Sequence, residues 1–193
     1  MKILFASNNA GKIREVREIF GDEFEIVTLR EANIVSDPEE TGATFAENAY
    51  IKAKSGMDLS GLPCMADDSG LCVDALHGAP GVYSARFAGE PCDNDKNNAL
   101  LLEKLKGHTD RSARYVCHIC LIFPDGKTVK AEGECEGRIL EEYRGTNGFG
   151  YDPLFYVPEL QKTFAEATPD EKNRCSHRAR ALKKLRGMLS NDK

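Results

Sequence analysis

Apolar positions come in short clusters, and their spacing changes along the chain in a way that separates strands from helices. KILFAS (residues 2–7) is a compact apolar run that predicts a short buried strand. NNAGKIREVREIFG then predicts a turn and a helix with Ile13, Val16, Ile19 and Phe20 on one face. The alternation in EFEIVTLRE predicts a second strand, and the polar IVSDPEETGAT, broken by Pro and Gly, predicts a loop. Thr44 with Glu47 three residues on is a capping-box pattern, and its helix runs through FAENAYIKAKSGMDLSG to a glycine stop. PCMADDSGLCVDAL reads as strand, tight turn and strand, the turn falling at Asp-Ser-Gly.

HGAPGVYSARFAGEP is too rich in Gly and Pro for an element interior and predicts an ordered loop or a hairpin. Asp93 or Asn94 starts a helix through NNALLLEKLKG. ARYVCHICLIF and KTVKAEGECEGRIL read as paired strands joined by a turn at Pro124, Asp125 and Gly126. GTNGFGYDPLFYVPE joins a glycine-rich loop to a strand. Thr168, Pro169 and Glu171 mark a helix start, and SHRARALKKLRGML is a terminal amphipathic helix with Ser176 as its cap. Helices and strands alternate, then give way to an antiparallel-looking pair. The expectation is an α/β fold, a mixed sheet with helical layers, in one domain over residues 1–193 without repeats or linkers.

A chain of 193 residues can bury about two thirds of its unfolded surface without staples. Lys and Arg number 26 against 31 Asp and Glu, a net charge of -5 that repels a polyanion, so no nucleic-acid partner is expected. An anionic small molecule stays open, since local cations and backbone amides hold phosphate inside an acidic protein. No run of about 18 apolar residues is present and the start turns polar after six, so neither a membrane span nor a signal peptide is readable; the expected location is cytoplasmic. Seven Cys scattered through apolar contexts fit reduced thiols. Only Cys117 and Cys120 have metal-like spacing, and in a strand residues three apart face opposite sides, which points to core thiols.

Four segments carry chemistry. Ser7, Asn8, Asn9, Ala10, Gly11 and Lys12 form a polar loop between strand and helix, where α/β sheets bind ligands. Helix amides, a close approach at Gly11 and the Lys12 charge suit phosphate, although an ordinary capped helix has the same pattern. It is not a Walker A loop, because Ala6 and Ile13 stand where Gly and Ser/Thr are needed. Asp67 and Asp68 are adjacent acids that repel unless a cation is bound, and Mg²⁺ is the natural one; a solvated turn is the alternative. Glu39 and Glu40 could complete such a site or be surface acids. In residues 148–153 Phe149 can stack on a planar ligand and Asp152 offers acceptors, while a kinked strand would look the same. Ser176, His177 and Arg178, preceded by Lys172 and Arg174, set cations against a helix dipole unless they face an anion.

SNNAGK (7–12), ADDSG (66–70), GAPGVYSARFAG (78–89), GFGYDP (148–153) and SHR (176–178) together resemble the Ham1/RdgB family of inosine and xanthosine triphosphate pyrophosphatases, across essentially the whole chain. Ser7 stands where relatives often have Thr, which keeps the hydroxyl. The resemblance implies a homodimer with an elongated mixed sheet and two lobes, the active site in the cleft, and Mg²⁺-dependent hydrolysis of ITP, dITP or XTP to monophosphate and pyrophosphate. It implies a triphosphate loop at residues 7–12, Asp68 as metal ligand and general base, and Glu39 as second metal ligand ahead of Glu40. Ser69, Phe149, Gly150, Tyr151, Asp152, Lys172, His177 and Arg178 are implied as substrate contacts, with Lys52 as a further cation near the phosphates. A Maf-like nucleotide diphosphatase with another base preference and a non-catalytic nucleotide-binding module are the competing readings.

Overall fold

The computed structural model describes residues 1–190. Strands β1 (Lys2–Phe5), β2 (Glu25–Thr28), β3 (Cys64–Val73), β4 (Ser112–Ile122), β5 (Thr128–Ile139), β6 (Phe155–Val157) and β7 (Lys162–Thr163) form one sheet in the order β2-β1-β3-β4-β5-β6-β7. β1 is parallel to β2 and β3, while β6 is antiparallel to β5 and β7, so the sheet is mixed, as expected from the sequence. The helices are α1 (Ala10–Phe20), α2 (Phe45–Ser60), α3 (Asn94–Lys104), α4 (Pro169–Cys175) and α5 (His177–Ser190).

Local chemistry sets their ends. Asn9 caps α1 by accepting from the Lys12 amide, and Gly21, at φ +54°, lets the chain leave it. Thr44 and Glu47 form the full capping box of α2, and Thr168 and Glu171 form that of α4. Asp93 caps α3 by accepting from the Lys96 amide. The terminal helix starts at His177, directly after Ser176, the C-cap of α4.

The expected turn at Asp-Ser-Gly is absent: β3 runs unbroken through it. Leu71 and Val73 are fully buried beyond the turn-prone triplet, and Asp68 within it and Asp67 before it have cationic partners, so an extended course leaves neither acid buried without a counter-charge. Residues 78–91 form an ordered loop with a 3₁₀ segment at Gly81–Arg86 rather than a hairpin. Ser84 anchors it, its Oγ accepting from the Leu71 amide at 2.9 Å and donating to the Gly81 carbonyl at 2.6 Å.

The chain forms two compact units. Unit 1 comprises Met1–Asp68, Cys117–Gly133 and the segment from Arg178 onward; unit 2 comprises Ser69–Val116 and Glu134–His177. Unit 1 has two cores, and strand alternation divides them. Ile3, Phe5, Met65, Cys117, Ile119 and Leu121 pack with Val16 and Phe20 of α1 and Leu182 and Leu185 of α5. Leu4, Ala6, Cys64, Ala66, Cys120 and Ile122 pack with Ala49 and Ala53 of α2. Gly56 lets α2 lie close, because a Cβ there would stand 2.5 Å from Cys64 Sγ and 3.3 Å from Ala6 Cβ. Cys117 and Cys120 fall in different cores, as the three-residue spacing predicts, and all seven cysteines are thiols. Burial pushes Cys64 up to about 12 and Cys120 up to about 11, which keeps both as inert thiols. Unit 2 has one core, in which Leu101 and Leu105 of α3 meet Tyr115, Ile139, Phe155 and Phe164.

Candidate active site

In unit 1 the alternation of β3 sends the adjacent acids Asp67 and Asp68 to different partners. Asp67, 3% exposed, accepts from Lys12 Nζ at 3.1 and 3.0 Å and from Arg178 Nε at 3.1 Å. The Cys117 thiol donates to the same carboxylate at 3.9 Å. Arg178, 1% exposed, also donates through Nη1 to Glu15, itself a buried acid on α1. Asp68, 8% exposed, faces α2 instead: Lys52 Nζ lies 3.2 Å from its Oδ1 and Asn48 Nδ2 3.2 Å from its Oδ2.

The two carboxyls have opposed acidities. Burial alone would raise Asp67, but Lys12, Arg178 and Lys52 outweigh it and hold the group well below the carboxylate range. Asp68 is raised, chiefly by burial and further by the Glu40 charge, against the pull of Lys52 and Lys12. Burial works against the charge on Lys52, yet Asp68, Asp67 and Glu40 together raise it, so it stays an ammonium. The adjacent acids are thus pushed apart, Asp67 toward the anion and Asp68 toward the protonated form.

Lys52 is also 3.2 Å from Glu40 Oε1, whereas Glu39 beside it is exposed. The acid that shares a cation with Asp68 is therefore Glu40, while Glu39, the acid expected as second metal ligand, stands beside it in the same loop. Among the described residues no three His, Cys, Asp or Glu side chains gather as an all-protein metal centre. Asp68 with Glu39 or Glu40 could hold Mg²⁺, which takes one or two carboxylates and completes its shell with substrate oxygens and water.

The residue 7–12 loop precedes the start of α1. Ser7 Oγ accepts from the Asn9 amide at 3.2 Å, and Asn9 Oδ1 from the Lys12 amide at 3.1 Å. Asn8 and Ala10 are exposed, and Gly11 is half-buried. The loop is thus an ordered N-terminus with a lysine behind it, a geometry suited to an anion.

Unit 2 holds the other expected residues, and Ser69 is its first, half-buried on β3. Asp152, 2% exposed, accepts from Lys172 Nζ at 2.8 Å and from the Phe149 amide at 2.9 Å. The Lys172 ammonium also lies 4.7 Å from the Phe149 ring centroid and 5.4 Å from that of Phe164. Gly148, at φ +80°, is required, since a Cβ there would collide with the Asp152 carboxylate. The Gly150 carbonyl accepts from Asn98 Nδ2 at 3.0 Å, and the buried Tyr151 hydroxyl donates to the Ser84 carbonyl at 2.8 Å. His177, 4% exposed, stacks on Tyr115 with centroids 4.7 Å apart and planes at 11°. A half-buried aromatic on a locked glycine loop can hold a planar ring.

Glu15, Asn48 and Tyr115 are not among the expected site residues. Glu15 had a local signal, an acid next to Val16 on the buried stripe of α1. Asn48 and Tyr115 had none, because a helix Asn and a strand Tyr are ordinary.

The Ham1 family model matches residues 3–188. The dITP/XTP pyrophosphatase of Desulforamulus reducens is 50% identical over 193 residues, covering 98% of this chain and 96% of that protein. That of Clostridium perfringens is 51% identical over 197 residues, covering 97% of each. Among solved structures, the Ham1 protein of Staphylococcus aureus superposes with a TM-score of 0.91 at 43% identity over 100% of both chains. A HAM1 protein from Coxiella burnetii gives 0.91 at 44% identity over 99% of both. With the family model spanning nearly all of the sequence and relatives at half identity over its whole length, the chain belongs to the Ham1 family.

Proposed function

We propose that the protein hydrolyses inosine and xanthosine triphosphates (ITP, dITP and XTP) to the nucleoside monophosphate and pyrophosphate, cleansing the nucleotide pool. Relatives at about half identity carry the name dITP/XTP pyrophosphatase, and the chemistry of unit 1 suits the reaction. The observation that carries the mechanism is the split between Asp67 and Asp68. Asp68 with Glu39 or Glu40 would hold Mg²⁺, which would supply counter-charge to the phosphates. Asp68 orients water toward the α-phosphorus and takes its proton as the new O–P bond forms. The bond to the β-phosphate oxygen breaks and pyrophosphate leaves. Lys52, and Lys12 held in place by Asp67, offset the charge that builds on the leaving group. The amides at residues 7–12 cradle the phosphates.

In unit 2, Phe149 stacks on the base, and residues 149–152 with Lys172 line its surroundings. Hypoxanthine and xanthine offer an acceptor at O6 and a donor at N1, and adenine offers the reverse. A donor directed at O6 from His177, Arg178 or neighbouring backbone then leaves an unpaired clash with ATP. Guanine shares O6, so its 2-amino group is refused by shape or desolvation. The same reading includes a homodimer in the cytoplasm. The seven cysteine thiols suit a reducing compartment, and the dimer rests on the family resemblance. No helix among the described residues is long and apolar enough to cross a membrane.

Steady-state rates on dITP, ITP, XTP, GTP and ATP test the base preference. One mismatched hydrogen-bond set is worth about 1–3 kcal/mol, so the first three should exceed GTP and ATP in kcat/KM by roughly tenfold or more. Equal efficiency on ATP would remove the selectivity from the reading.

A further inference from the structure

Asn48 lies in the second turn of α2, is 1% exposed, and uses both ends of its amide. Its Oδ1 accepts from the Gly42 N–H at 2.8 Å, and its Nδ2 donates to Asp68 Oδ2 at 3.2 Å. The partners determine which end is which, since a backbone N–H needs an acceptor and a carboxylate needs a donor. One buried side chain therefore joins the loop that carries Glu40 to the strand that carries Asp68.

The joint has no slack. A Cβ on Gly42 would stand 2.6 Å from Asn48 Oδ1 and 2.6 Å from Glu47 Cβ, so only glycine lets the loop come this close. On its other side Asp68 is held through Oδ1 by Lys52, which also reaches Glu40. With Asn48 on Oδ2, the plane of the carboxylate is defined at both oxygens.

From this arrangement we infer that Asn48 is a positioning residue for the reaction. It fixes the orientation of Asp68 and the spacing between Asp68 and Glu40 without touching substrate. The inference rests on Asp68 being the proton acceptor, so Asp68→Asn accompanies the test.

Two substitutions separate positioning from plain structural support. Asn48→Asp keeps an oxygen for the Gly42 amide but replaces the donor with a carboxylate set against Asp68; Asn48→Ala removes both bonds. A misplacement of about 1 Å at a reacting group costs on the order of a hundredfold. In both variants kcat on dITP should fall by about 10- to 100-fold with KM within about threefold. The melting temperature of Asn48→Asp should stay within about 4 °C of wild type, the size of a loss near 1 kcal/mol in a chain of this length. Mg²⁺ alone, titrated calorimetrically, should bind Asn48→Ala about tenfold more weakly, as for lost support of a ligating carboxylate.

A kcat for Asn48→Asp near wild type would overturn the inference. So would unchanged Mg²⁺ affinity in Asn48→Ala, or a loss of rate that only follows a loss of folded protein. Near-normal turnover by Asp68→Asn would overturn the reading of Asp68 and this inference with it. An inactive Asp68→Asn beside a normal Asn48→Asp would overturn this inference alone.

Discussion

Asp68→Asn is expected to lower turnover of dITP by about a hundredfold to ten-thousandfold while nucleotide binding survives in part. That range is what a positioned general base contributes. The substitution is nearly isosteric, so it keeps the packing on α2 while removing both the negative charge and the capacity to accept a proton. Asp68 suits the task because burial raises its pKa, with Glu40 adding to the effect and Lys52 pulling the other way. The sign of the pH effect follows. The base works only when ionised, so the rate falls as pH drops through the Asp68 value, which lies above the ordinary Asp figure of about 3.9. That acid limb should vanish from the residual activity of the variant. Measured kcat with dITP, and nucleotide affinity by calorimetry, check both halves; a variant with near-normal kcat would remove Asp68 from the chemistry.

The second large effect falls on stability. Arg178 is 1% exposed and donates to two carboxylates, Asp67 through Nε and Glu15 through Nη1. Arg178→Ala would leave Glu15 and part of Asp67 buried without their counter-charge, and removing one partner of a buried ion pair costs about 3–5 kcal/mol. In a chain of this size that lowers the melting temperature by roughly 10 °C. Glu15→Gln should cost less, because the amide is neutral and Arg178 keeps Asp67. Thermal unfolding of the three proteins checks the order, and an Arg178→Ala protein melting within about 2 °C of wild type would mean the network carries little stability.

What could be read from the sequence was what neighbouring residues decide. Asn9 before α1, Thr44 with Glu47 and Thr168 with Glu171 each cap a helix through bonds spanning three residues. The divergence of Cys117 and Cys120 needs only the two-residue period of a strand. What was misread depends on distant partners. Asp-Ser-Gly favours a turn locally, but Asp67 meets Lys12 from 55 residues away and Arg178 from 111, and those bonds make an extended β3 the better course. The same alternation sent Asp67 and Asp68 to different partners, so the apparent carboxylate pair became two single acids with separate roles. Glu39 and Glu40 are indistinguishable as letters, and only the fold shows that Lys52, on another element, pairs with Glu40. Arg178 is legible as a cation at a helix start that needs an anion to face, but its counter-charges lie in segments that no local window includes.

The central claim is cleavage between the α- and β-phosphates, and the products report it directly. Purified protein incubated with dITP and Mg²⁺ should release one pyrophosphate per dIMP formed, and chelating the Mg²⁺ should stop the release. Orthophosphate with dIDP as the products, or no hydrolysis of dITP at all, would contradict it.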